Sequence, residues 1–222
     1  MNGLLLVNKP IGITSFDIIR TLRRVGPEQK IGHAGTLDPL ASGLMLLLFG
    51  TACKQAQTLS GLDKRYVAQI TLGATSTTGD NEGEKTPVSS LVPDLAAVQE
   101  VVAKLQGVLR QTPSQYSAIK IDGKEAYKYA RAGKIVEMPS REVTIYESII
   151  EKYNYPVIEL NAKVSSGTYI RSLAEDMGTE LASGAYLSGL VRVEVGKYHL
   201  DEALTLDEFD APAVIEQHLL EL

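Results

Sequence analysis

A chain of 222 residues, 44% hydrophobic and 22% charged, has the profile of a soluble globular protein with a sizeable core, in one large domain or two small ones. The single cysteine, Cys53, excludes an internal disulfide, the three histidines are too scattered for a zinc site, and no apolar run approaches a membrane span. A net charge of −5 argues against a polyanionic partner until its distribution is read: residues 199–222 hold seven acids and no Lys or Arg, which leaves 22 bases against 20 acids in residues 1–198.

The first segment, Met1 to Lys9, lacks a basic leader region and reads as a short strand over residues 4–8, so a cytoplasmic location is expected. A turn at Lys9-Pro10 follows. Thr14-Ser15-Phe16-Asp17 sets a hydroxyl cap and a first-turn carboxylate, predicting a helix to about Val25 that stops at Gly26-Pro27. Residues 32–43, Gly-His-Ala-Gly-Thr-Leu-Asp-Pro-Leu-Ala-Ser-Gly, come next, directly before an apolar run at 44–49 that reads as a buried strand. Glycine opens unusual φ, while Pro39 confines Asp38 to extended backbone. Such a loop holds one short carboxylate in a fixed pose, as a nucleophile or general base requires. The same residue types also make an ordinary turn with a solvated aspartate, and composition does not choose between them.

A helix is expected over 51–60. A strand over 65–72 alternates, with Tyr66, Ala68, Ile70 and Leu72 on one face. Residues 75–87 read as a polar loop. Pro93-Asp94 opens a helix with the apolar stripe Leu95, Val98, Val101, Val102 and Leu105, closed by Gly107. A basic helix is expected over 124–132, strands over 143–150 and 157–164, a helix from Gly167-Thr168 to about Leu181, a strand over 190–197 and an acidic, helix-patterned tail over 206–222. Strands in runs separated by helices define an α+β class with a mixed, largely antiparallel sheet. Between Arg110 and Arg141 seven bases face three acids, a strip suited to a phosphate backbone, although lysines on a solvated helix give the same count.

Several segments together resemble one family. Lys9-Pro10, residues 32–39, Asp63-Lys64-Arg65-Tyr66, Tyr116-Ser117-Ala118-Ile119-Lys120 with Gly123, Ala130-Arg131-Ala132-Gly133 and Ser166-Gly167-Thr168-Tyr169-Ile170-Arg171 are similar, in order, to the signature segments of the TruB family of tRNA pseudouridine synthases. The resemblance runs from Gly3 to about Leu206. It implies the pseudouridine synthase fold, a central sheet flanked by helices with an RNA-binding insertion. It also implies conversion of uridine 55 in the T-arm loop of tRNA to pseudouridine by an enzyme that flips the base and uses no cofactor and no metal. The partner is then the tRNA T-arm, and the enzyme is expected to be a monomer. The alternative is a protein that binds the T-loop or folds tRNA without essential chemistry.

By resemblance, Asp38 is the catalytic carboxylate, Arg171 the arginine that pairs with it, and Tyr66 the tyrosine that lies against the target base. His33 matches the histidine that helps draw nucleotides out of the loop stack. Lys9 and Lys64 hold phosphates or brace the site, and Leu190 lines the uracil pocket. The insertion, at about 110–141, grips RNA, with Lys120, Lys124, Lys128 and Arg131 as phosphate contacts. Residues 1–205 form the expected catalytic domain and 206–222 a short acidic tail, without the C-terminal PUA domain that members commonly carry. Ala34 and Ser42 stand where many members have Thr, Ser114 where a second proline is usual, and Val191 where a basic pair is common.

Overall fold

A computed structural model of the chain describes residues 1–117, 119–121, 123–134 and 136–222, apart from the side chains of Tyr127 and Arg131. Ala118 and Asp122 of the basic segment, and the Arg131 side chain expected to touch phosphate, thus lie outside the described set. In chain order the elements are β1 (Gly3–Lys9), α1 (Ser15–Val25), β2 (Ile31–Ala34), β3 (Ala41–Phe49), α2 (Ala56–Ser60), β4 (Lys64–Leu72), β5 (Ala74–Ser76), β6 (Lys85–Pro87), α3 (Leu95–Lys104) and β7 (Gly107–Gln111). There follow β8 (Lys120–Ile121), β9 (Lys124–Glu125), α4 (Ala126–Arg131), β10 (Arg141–Asn154), β11 (Val157–Val164), α5 (Ile170–Glu180), β12 (Ala185–Val195), β13 (Tyr198–His199) and α6 (Pro212–Gln217). The class is α+β with a mixed sheet, and the backbone divides into two compact units, Met1–Val67 with Leu190–Leu222, and Ala68–Gly189.

In the first unit β3 is the central strand, and residues Leu44 to Phe49 have no exposed surface. A strand covered on both faces needs a continuous apolar run, which is what 44–49 provides. One edge of β3 pairs antiparallel with β1, from Gly3↔Phe49 to Lys9↔Gly43. The other edge is shared: β2 takes the far end, antiparallel from Ile31↔Phe49 to Ala34↔Leu46, and β12 takes the near end, parallel, with Leu190↔Ala41 and Arg192↔Gly43. Gly43 is required there, because its φ is +106° and a Cβ would lie 2.3 Å from the Arg192 carbonyl oxygen. On one face Leu4, Leu6, Leu44, Leu46 and Leu48 pack with Ala34, Leu59, Val195 and Tyr198. α1 buries Ile18, Ile19 and Leu22, and its start is the capping box expected from the sequence, with Thr14 Oγ1 accepting from the Asp17 N–H and Asp17 Oδ2 from the Thr14 N–H.

In the second unit β10 and β11 form a long antiparallel hairpin, and β7 adds to the other edge of β10 with Val143↔Leu109 in register. α3 is capped by Asp94, whose carboxylate accepts from the Ala97 N–H at 2.8 Å. Among the described residues no helix is long and apolar enough to cross a membrane.

Several expectations change, among them the last strand, expected over 190–197 and found as Ala185–Val195. The expected loop 32–43 shrinks to residues 35–40, because Ile31–Ala34 pairs with β3 and the close approach at Gly43 lets β3 begin at Ala41. The polar stretch 75–87 is a hairpin of β5 and β6, with Thr75↔Thr86 in register. The helix expected over 51–60 is a 3-10 turn, Gly50–Gln55, followed by one short α-helical stretch. In the tail only Pro212–Gln217 is α-helical, while Leu204 and Leu220 pair with β1, the Leu4 N–H donating to the Leu220 carbonyl at 2.9 Å. These contacts cover an edge strand that is otherwise open to association.

Candidate active site

Asp38 sits where the second edge of β3 passes from β2 to β12. Every carbonyl from residue 35 to 39 has a partner within the unit. The Ser15 hydroxyl, which is buried, donates to the Leu37 carbonyl at 3.0 Å and accepts from the Leu37 N–H at 2.9 Å. The Ala41 N–H donates to the Asp38 carbonyl at 3.0 Å, and the Gly12 N–H donates to the Pro39 carbonyl at 2.8 Å. Arg192 takes the remaining two, Gly35 and Thr36, with Nη2 and Nη1. The loop is tied through all five of these carbonyls, yet Asp38 itself is exposed. An acid thus stands at the surface on a loop held at each carbonyl from residue 35 to 39.

Basic groups converge on the same place. Lys9 has no exposed surface, and its Nζ donates to the carbonyls of Pro10 and Ile13, both at 2.8 Å. Burial lowers its pKa to about 8, with the nearby Asp38 charge opposing that shift and the Arg192 charge adding to it. Lys64 donates to the carbonyls of Ser60 and Leu62 at 2.5 and 2.6 Å, and burial followed by Arg192 brings it too to about 8. Of the two roles open to these lysines, holding phosphate or bracing, their buried ammonium groups fit bracing. His33 lies on β2, and burial and then Arg192 disfavour its protonation. Its Nδ1 is buried with no hydrogen-bond partner among the described residues. Tyr66 is buried on β4, and half-buried Leu190 pairs with Ala41, where the loop rejoins β3.

The second unit holds the other expected residues. Arg171, in the first turn of α5, is 7% exposed and pairs with the buried Asp80 at 3.1 Å. It also donates to the carbonyls of Thr78 and Tyr116 at 3.4 and 3.5 Å. Asp80 in turn accepts from Thr78 Oγ1 and the Glu82 N–H at Oδ1, so its carboxylate is oriented from both sides. The start of α5 is fixed by buried Gln111, whose side-chain amide bonds both the N–H and the carbonyl of Tyr169, and Arg141 stacks 4.8 Å from that tyrosine's ring. Lys120, Lys124 and Lys128 are exposed around the β8–β9 hairpin and α4. Lys124 lies 4.8 Å over the Tyr129 ring, and Lys128 pairs with Glu125 at 2.8 Å. Among the described residues no cluster of three His, Cys, Asp or Glu side chains is arranged for a metal.

Sequence reasoning passed over Asp80 and the clamp role of Arg192. Asp80 stands in a stretch of Thr, Gly and acids that signals only a loop. Arg192 bonds carbonyls 148 to 157 residues away, a pairing that no local pattern announces.

Comparison with solved structures gives the class: the chain has the pseudouridine synthase fold. It matches the crystal structure of a Cbf5-Nop10-Gar1 complex with a TM-score of 0.72 and 25% identity, over 93% of this chain and 53% of that one. The chain thus spans about half the length of that structural relative. The family model for the N-terminal domain of TruB family pseudouridylate synthases matches residues 23–170. Proteins called tRNA pseudouridine synthase B are 46% identical over 96% of this chain and 68% of their own length in Cupriavidus metallidurans, and 44% identical over 95% and 70% in Burkholderia mallei. The chain belongs to the TruB family.

Proposed function

We propose that this chain isomerises uridine 55 in the T-arm loop of tRNA to pseudouridine, acting as a cytoplasmic monomer with Asp38 as its catalytic carboxylate. The bond from the sugar carbon to N1 of uracil breaks, the base turns, and a bond forms to C5, whose proton leaves while N1 gains one. Nothing is added or lost overall, so the reaction calls for a placed acid, a pocket for an extruded base and a grip on RNA.

The observation that carries this reading is the Asp38 loop, with each carbonyl from residue 35 to 39 bonded and Asp38 itself exposed. A rigidly held reacting group supplies most of the advantage of an intramolecular reaction. Tyr66 would stack on the target base, His33 and Leu190 would receive flipped nucleotides, and Arg171 would serve the catalytic carboxylate. The exposed lysines of residues 120–128 would hold the phosphate backbone, with specificity coming from loop shape and flipped bases.

The test is incubation with an unmodified tRNA transcript, followed by base-resolved mapping of pseudouridine, with Asp38→Asn in parallel. The expected result is a single modified position in the T-loop, absent with Asp38→Asn although that variant still binds tRNA. Turnover by Asp38→Asn removes Asp38 from the centre of the chemistry. Binding without product by the wild type favours a T-loop-binding protein.

A further inference from the structure

Arg192 is 1% exposed, and among the described residues its hydrogen bonds run to carbonyl oxygens. Nε donates to Leu44 at 2.8 Å, Nη2 to Gly35 at 3.1 Å and Nη1 to Thr36 at 3.4 Å. One planar group therefore links the body of β3 to the first half of the Asp38 loop. A buried cation is costly to desolvate, and charge-assisted bonds to three carbonyls are what offset that cost here. The loop's other anchors, Ser15 and the amides of Gly12 and Ala41, are neutral and hold residues 37–39. Gly35 and Thr36 depend on Arg192. Gly35 has φ of +88° and lacks a Cβ, so nothing in its own backbone preference fixes its peptide orientation.

We propose that Arg192 is a positioning residue for the isomerisation, its guanidinium fork setting the peptides that aim the Asp38 carboxylate. The inference rests on the reading of Asp38 as the catalytic acid. Lysine cannot replace the fork, because a single ammonium does not span the strand and both loop carbonyls. Gly43 completes the device: its missing side chain lets β12 approach β3 closely enough for the fork to reach Leu44. The positive charge also reaches Lys9, Lys64 and His33, each of which it makes harder to protonate, in keeping with a central place among them.

Arg192→Lys and Arg192→Gln are compared with wild type for melting, tRNA affinity and the single-turnover rate of pseudouridine formation at saturating enzyme. The expected outcome is cooperative unfolding, tRNA affinity within about twofold, and a rate lower by about 10²-fold, the scale of an ångström of misplacement. A folded variant that turns over at the wild-type rate, or whose whole defect lies in tRNA affinity, overturns the proposal. Asp38→Asn on the same tRNA separates the two claims, since activity in that variant overturns the reading of Asp38 whatever Arg192 does. Should neither Arg192 variant fold, hydrogen exchange at the wild-type Arg192 Nε–H decides: protection comparable to the sheet amides supports the clamp, and exchange at the rate of an exposed arginine overturns it.

Discussion

At the scale of single residues, two buried lysines give the site a pH signature in its stability. Lys9 has a pKa of about 8 in the folded chain against 10.5 as its ordinary value, so the folded state binds fewer protons than the unfolded one between those limits. Stability therefore rises with pH across that window, and the cost of the buried charge is fully present below pH 8. Lys9→Met should flatten the rise, by at most about 1.4 kcal/mol per pH unit for one proton. Urea unfolding of both proteins at intervals from pH 7.5 to 10.5 measures this, and a constant difference between them would show that the Lys9 pKa is not lowered. The tight loop around Asp38 was legible in the sequence because glycine and proline act locally on its backbone, whereas the role expected of Asp38 came only from the family resemblance. The loop's supports were not legible, since Ser15, Arg192 and the Gly12 amide reach it through tertiary pairing. The same holds for Asp80, whose meaning comes only from the guanidinium opposite it.

At the scale of elements, strong local signals gave helices and strands their places, and boundaries shifted where a partner strand or the lack of alternation left no local sign. α1 carries its stop and start in its own residues, and Thr14→Ala should cost about 1 kcal/mol by removing one half of the capping box. Thermal unfolding reads that as a fall of about 2–4 °C in Tm. An unchanged Tm would mean that the packing of Ile18, Ile19 and Leu22 alone sets the helix start. β3 begins three residues earlier than its apolar run because β12 supplies a partner for residues 41–43, and no pattern in those residues reveals that partner. β5 and β6 are three residues each and hold no large apolar residue, so alternation could not mark them. At β9, Lys124 and Glu125 pair with β8, and the helix expected from residue 124 begins only at Ala126.

At the scale of the whole molecule, total charge misleads and its distribution informs. The acids of residues 199–222 dominate the balance of −5, while the exposed bases on the β8–β9 hairpin and α4 stand apart from them in sequence. Reversing Lys120, Lys124 and Lys128 to Glu should weaken tRNA binding by more than tenfold and flatten its salt dependence, since each lost phosphate contact lowers the slope by about 0.7–0.9. Titrations at several salt concentrations check this, and an unchanged slope would place the RNA elsewhere. The first compact unit is assembled from two distant stretches of chain, with the second unit's residues between them. A ribosome delivers Asp38 early and Arg192 late. Until residues 190–195 emerge, β3 lacks its parallel neighbour and the Gly35 and Thr36 carbonyls lack their donor. The nascent polypeptide thus carries the Asp38 loop for about 150 residues of synthesis before the guanidinium that links it to β3 has been made.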